Sequence, residues 1–207
     1  MFISREGDQA VMEYAHLITD DRKECGFSVL SSAHAEFTLF KETHLEKTEA
    51  IVFTDGAMCY SGKYLCLGLI EVSKWTGLKV VDFHIGEAGK NKTELDGQFA
   101  TAGSIVNRGV AQGGKDVRMA VDVVRNLEIG KVDASAGGSK TTALSFRPDR
   151  TAQAEVRNGV LKNISRVSHR SFKWGQGLSF QQLVLFNQSN IGVGRVHSAD
   201  EVRTVEV

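Results

Sequence analysis

The sequence predicts an α/β protein built on a mixed sheet flanked by helices, with a small β-rich extension at its C-terminal end. Three observations carry this. Short apolar runs of strand character alternate with stretches of helical periodicity through the N-terminal and central parts of the chain. One run, Ile51-Val52-Phe53, is continuous and ends in Thr54-Asp55-Gly56, the pattern of a strand covered on both faces. Between Glu155 and Asp200 there is no acid, while Phe172, Trp174, Phe180 and Phe186 fall in strand-like runs. This change of composition divides the chain into a core over residues 1–150 and a basic β-rich extension over 151–207.

The elements follow in order. Val11–Ile18 partly alternates apolar and polar residues and reads as a strand covered mainly on one face, closed by Thr19-Asp20-Asp21. Ser28–Lys41 carries Val29, Ala33, Phe37 and Phe40 at helical spacing. Lys63–Trp75 has Tyr64, Leu67, Glu71 and Trp75 on a helical step, and Thr76-Gly77 supplies a stop. Leu78–Ile85 is β-branched and aromatic, hence a strand, adjacent and parallel to the Ile51 strand because a helix intervenes. Thr93, with Asp96 three positions on, opens a helix that runs to about Gly109, and Asp116–Leu127 forms another. Thr142–Phe146 is a short strand closed by Pro148, and Gly175-Gln176-Gly177 turns between two strands of the C-terminal part. The polar tail after Gly194 reads as a fraying end.

Composition narrows the function. With 42% hydrophobic and 24% charged residues the chain is ordinary globular material. Lys+Arg and Asp+Glu are both 25, so a protein gripping nucleic acid over its whole surface is excluded, and any such site is local. Cys25, Cys59 and Cys66 form no CxxC, which argues against a zinc finger or a disulfide framework and for reduced, buried thiols. The start MFISREGDQ is too polar for a signal peptide, and no apolar run approaches the roughly 20 residues of a membrane helix. The expectation is an intracellular chain, nuclear or cytoplasmic, with no membrane partner. Nothing in the sequence speaks to oligomeric state.

Four acids sit where α/β sheets place chemistry: Asp55 after one central strand, Glu87 after the next, and Glu94 and Asp96 at the following helix start. Carboxylates so placed can share a pair of divalent ions that activate water and stabilise a leaving oxygen. The plain alternative is equally physical: Asp-Gly after a strand is a common turn, and an acid in a helix's first turn is a cap or a dipole partner. Other features have plain readings. Gly86-x-x-Gly89-Lys90 lacks the spacing of a phosphate loop. His84 reads as a satisfied imidazole in a strand, Cys59 and Cys66 as helix packing, and Trp75 as a core lid.

The stretches Thr54-Asp55-Gly56-Ala57-Met58-Cys59-Tyr60, Thr76-Gly77-Leu78-Lys79-Val80-Val81 and Glu87 to Phe99 resemble a recurrent block of proteins encoded by animal DNA transposons. Arg166 to Phe172 and Ile191 to Arg195 resemble later elements of the same block, so the similarity runs from about Tyr14 to Arg195. The resemblance implies an RNase H-like fold of the acid-dependent (DDE-type) integrase and transposase group. On that basis the Val11–Ile18 strand corresponds to the third strand of the family fold and Asp55 to its second catalytic position. Asp96, or Glu94 beside it, falls near the third catalytic position, 41 positions after Asp55 in the case of Asp96. Asp55 and Asp96 would then be the ligands of Mg2+. The first catalytic strand has no counterpart, since only about ten residues precede Val11.

Three readings remain open at the level of sequence. The favoured one is a transposon-derived domain, catalytically incomplete, that binds nucleic acid or a partner and holds Mg2+ weakly. The second is an active Mg2+-dependent DNA transposase or nuclease using Asp55, Asp96 and Glu94. The third equates Thr54-Asp55-Gly56 with the first strand of an RNase H and Glu94-Leu95 with its helix acid. For nucleic acid, in the first instance DNA, the candidate contacts are Arg166, Arg170, Lys173 and Trp174, where cations alternate with aromatic rings in the acid-free stretch. A solvated strand face balanced by acids from elsewhere is the competing account of that stretch.

Overall fold

A computed structural model describes residues 1–23, 25–86, 94–113, 116–131, 140–150, 161, 164, 167–187 and 194–202. The first half of the chain contains β1 (Phe2–Glu6), β2 (Gln9–Ile18), α1 (Gly26–Thr43), β3 (Glu49–Thr54), α2 (Met58–Ser61), α3 (Lys63–Thr76) and β4 (Lys79–Ile85). The second half contains α4 (Glu94–Ala111), α5 (Ala120–Lys131), β5 (Lys140–Ser145), β6 (Val167–Trp174), β7 (Phe180–Asn187), β8 (Arg195–Ser198) and α6 (Ala199–Val202). The fold is α/β, and it divides into two compact units, each made of two stretches of chain: Met1–Arg22 with Lys92–Arg147, and Lys23–Asn91 with Pro148–Val207.

The first unit holds a three-stranded sheet in the order β1-β2-β5. β1 and β2 form an antiparallel hairpin, and Gly7 takes the positive φ of 59° that its two-residue turn requires. β5 lies parallel to β2, and the α4–α5 pair supplies the crossover that parallel strands need. α5 begins where Asp20 and Asp122 accept backbone N–H groups. The Asp20 carboxylate takes the N–H of Ala120 at 2.7 Å and Asp122 that of Met119 at 3.0 Å, two donors a helix start would otherwise leave unpaired. α4 and α5 cross at Gly109, where a side chain would run into the backbone carbonyl of Asn126.

The second unit holds a five-stranded sheet in the order β3-β4-β6-β7-β8. β3 and β4 are parallel neighbours, as expected, with α3 in the crossover; the remaining pairs are antiparallel. α3 supplies much of the core through Leu65, Cys66, Leu67, Leu69 and Val72, and the sheet adds Val80 and Phe83 of β4, Phe172 of β6, and Leu183 and Leu185 of β7. It ends at Gly77, whose φ of 74° lets its N–H reach the Ser73 carbonyl. Ser73 ties helix to sheet: its hydroxyl donates to Leu69 O at 2.7 Å and accepts the Val80 N–H at 3.0 Å.

The structure corrects several expectations. β3 is not covered on both faces: Ile51 is 56% and Phe53 74% exposed, because β3 is the edge strand and its alternate residues point away from the helices. The expected single mixed sheet is two: β2 lies in the three-stranded sheet and β3 in the five-stranded one. The part after residue 150 is not an appendage: β6, β7 and β8 continue the sheet begun by β3 and β4, because β4 offers them a free edge. The tail expected to fray after Gly194 forms β8 and α6 over residues 195–202, its described part. Cys59 and Cys66 lie on different helices, separated by Gly62 in extended conformation, and of the three cysteines only Cys66 is buried. Trp75 is 53% exposed and meets His34 edge-on instead of covering the core.

Candidate functional site

Asp55 stands at the C-terminal end of the parallel β3–β4 pair. The ladder continues one step beyond the strands, Gly86 N–H donating to Thr54 O at 2.8 Å, and the chain then turns at Asp55. The Asp55 side chain is exposed and accepts the Ala57 N–H at 2.9 Å, the self-bonded turn that Asp favours after a strand. Asp96 is exposed in the first turn of α4, in the first unit, whereas Asp55 belongs to the second. Glu94 opens α4, but its side chain lies outside the described residues, as does the whole of Glu87. Among the described residues no group of three or more His, Cys, Asp or Glu gathers to hold a metal ion.

The cation and ring candidates divide by the pleat of β6. Arg166 lies outside the described residues. Arg170 is 0% exposed, so a phosphate in solution does not reach it. Its guanidinium donates to the carbonyls of Tyr60 at 3.3 Å and Ser61 at 2.8 Å and sits 5.1 Å from the Phe83 ring centroid. It thereby satisfies carbonyls that α2, a single turn, cannot bond internally. Trp174 is half-buried, its ring N–H donates to Val80 O at 2.8 Å, and it meets Phe180 edge-on. Of the three described candidates, Lys173 alone is exposed.

The opposite pleat of the same strand carries a different set. Register places Phe53 beside His84, His84 beside His169, and His169 beside Phe186, across β3, β4, β6 and β7. The four rings stack in one row. Centroids are 4.7 Å apart for Phe53–His84, 4.3 Å for His84–His169 and 4.9 Å for His169–Phe186, with planes within 14° of parallel. Asp82 fixes the row from below, its carboxylate 2.9 Å from His169 Nε2. Burial first, and then the neighbouring His169, hold the His84 imidazole below its ordinary pKa, with Asp82 opposing. At one end Gly194 approaches Phe186 so closely that a side chain there would collide with the ring. At the other end Phe53 is 74% exposed. Towards the sheet centre Ser171 and Val184 are buried, so this face is open chiefly along its β3 edge, where Ile51 joins Phe53.

These four rings went unrecognised in the sequence. Phe53 reads there as core and His84 as a single satisfied imidazole; of the β6 candidates, Lys173 shares the pleat of His169 and Arg170 stands on the other. The available signal is the period of two, which sets His169, Ser171 and Lys173 apart from Arg170, Phe172 and Trp174. Compared with family models, with curated proteins and with solved structures, the chain matches none.

Proposed function

We propose that the chain is a transposon-derived, RNase H-like domain, catalytically incomplete, that binds single-stranded nucleic acid through the β3 edge of its five-stranded sheet. The observation that carries the proposal is the ring row ending in Phe53. A ring already stacked on one side and open on the other accepts the flat face of an unpaired base as the next member of the row, and it costs little conformational entropy because His84 holds it in place. Asp55 lies two residues further along the chain from Phe53, where the resemblance puts a catalytic carboxylate beside a nucleic-acid strand. An acid, Asp82, lies beside the row, so base stacking and not phosphate neutralisation dominates, in line with a chain of zero formal charge. Sequence preference is therefore weak.

The test is fluorescence anisotropy with a labelled single-stranded oligonucleotide and its duplex at low salt. A stacked base contributes about 1–3 kcal/mol, so Phe53→Ala lowers single-strand affinity roughly five-fold to a hundred-fold, and Phe53→Tyr keeps it. Because the ring is mostly exposed, its loss leaves the fold intact. Equal binding by parent and Phe53→Ala would reject the interface, and tighter binding of the duplex than of the single strand would reject stacking as its basis.

A further inference from the structure

We infer that Cys25 and Arg150 form a nucleophilic thiolate site that reacts with hydroperoxide-class oxidants to give a sulfenic acid. This site is independent of the ring row and of the nucleic-acid proposal. Cys25 immediately precedes α1, and Arg150 reaches it from 125 positions further along the chain, donating from Nη1 to Sγ at 3.1 Å. The guanidinium is fixed in three further ways: Nη2 donates to Ser28 Oγ at 2.7 Å and to Lys23 O at 3.0 Å, and the group lies 5.2 Å from the centroid of the Phe27 ring. Ser28 Oγ is itself 3.7 Å from the sulfur. A cation held this firmly on a sulfur favours the anion over the thiol, since a charged acceptor makes the stronger hydrogen bond.

Burial pushes the Cys25 thiol up. The bond from Arg150, those from the Ser28 backbone and hydroxyl, and that from the Phe27 backbone outweigh it and bring the thiol down to about 7. Cys66 makes the contrast. It is completely buried, and burial pushes it up to about 11 despite Arg170 nearby. Cys25 is only half-buried and so remains open to a small oxidant.

In the reaction the thiolate sulfur attacks one oxygen of hydrogen peroxide. The S–O bond forms as the O–O bond breaks, sulfur is oxidised by two electrons and the peroxide is reduced. The transferred oxygen keeps its hydrogen, and the departing hydroxide takes up the proton that the thiol gave to solvent and leaves as water. Arg150 remains placed to donate to the product oxygen. At pH 7 a thiol of pKa about 7 is roughly fifty-fold more ionised than one of pKa about 9, while its intrinsic nucleophilicity falls roughly ten-fold, a net gain of about five-fold.

The experiment treats the whole chain with hydrogen peroxide, traps sulfenic acid with dimedone and reads the labelled peptides by mass spectrometry. In parallel, iodoacetamide alkylation of each cysteine is followed against pH. Cys25 should be labelled ahead of Cys59 and Cys66, with an alkylation midpoint near neutrality. Arg150→Met should move that midpoint upward and slow the reaction at neutral pH up to about five-fold, and Arg150→Lys should restore part of it. Labelling of Cys25 no faster than Cys59 in the parent protein overturns the inference without recourse to any variant. An unchanged alkylation profile in an Arg150→Met protein with parental circular dichroism overturns it as well.

Discussion

His84 is sandwiched between Phe53 and His169, and its neighbours decide what its proton does. Because the folded chain holds its pKa below the unfolded value of 6.5, the unfolded chain binds the proton more readily. The stability linked to this group is therefore present above the unfolded value and lost as pH falls below it. Thermal denaturation from about pH 7 down to about pH 5.5 should show a falling midpoint, and His84→Phe, which keeps a ring in the row, should flatten the fall. Identical pH slopes in parent and variant would remove His84 from the account. Phe53 and Arg170 illustrate the same dependence on surroundings with opposite outcomes. The apolar ring stands in solvent, where its open face makes the Phe53→Ala binding test meaningful, while the cation is enclosed among Tyr60, Ser61 and Phe83. The same holds for the thiols: Cys25 and Cys66 differ because a fixed guanidinium bonds one sulfur and complete burial governs the other.

At the scale of elements, glycines mark where helices touch. Gly109 of α4 meets the backbone of Asn126 in α5, and backbone cannot swing aside as a side-chain end can. Gly68 of α3 instead meets the methyls of Leu30 in α1. Gly103, in the same helix as Gly109, faces open space. Gly109→Ala should therefore destabilise the protein by roughly 1–3 kcal/mol in urea denaturation, while Gly103→Ala should stabilise it by up to about 1 kcal/mol through helix propensity. Effects of the same sign at both positions would show that α4 and α5 do not cross at Gly109. β6 carries the complementary lesson. Its period of two gives Arg170, Phe172 and Trp174 to the helix-covered face and His169, Ser171 and Lys173 to the other, so a basic, aromatic stretch separates into a core part and a surface part.

At the scale of the molecule, each unit closes with a segment from far along the chain. β5 completes the sheet begun by β1 and β2, and β6 to β8 complete the sheet begun by β3 and β4. A fragment of residues 1–150 would leave the β4 edge unpaired and the core without Phe172, Leu183 and Leu185. It should be insoluble or lack cooperative unfolding, as seen by ultracentrifugation and thermal denaturation, while the full chain unfolds cooperatively. A soluble, cooperatively folding fragment would restore a boundary at residue 150. None of the helices among the described residues is long and apolar enough to cross a membrane.

The sequence by itself determined the elements and the parallel β3–β4 pair. Helical spacing, β-branched runs and glycine stops are local properties, and a helix between two strands dictates a parallel crossover. It also put Asp55 at a strand end, because a turn follows directly from Thr54-Asp55-Gly56. Only the tertiary structure decided which sheet each strand joins, that β3 is an edge, and which pleat of β6 faces the helices. Those outcomes depend on partners tens of residues away, and a strand's alternation is the same whichever of its faces becomes the core. For the same reason the row of Phe53, His84, His169 and Phe186, and the meeting of Arg150 with Cys25, exist only in the folded chain. Each is made of residues whose separation in sequence carries no trace of the contact.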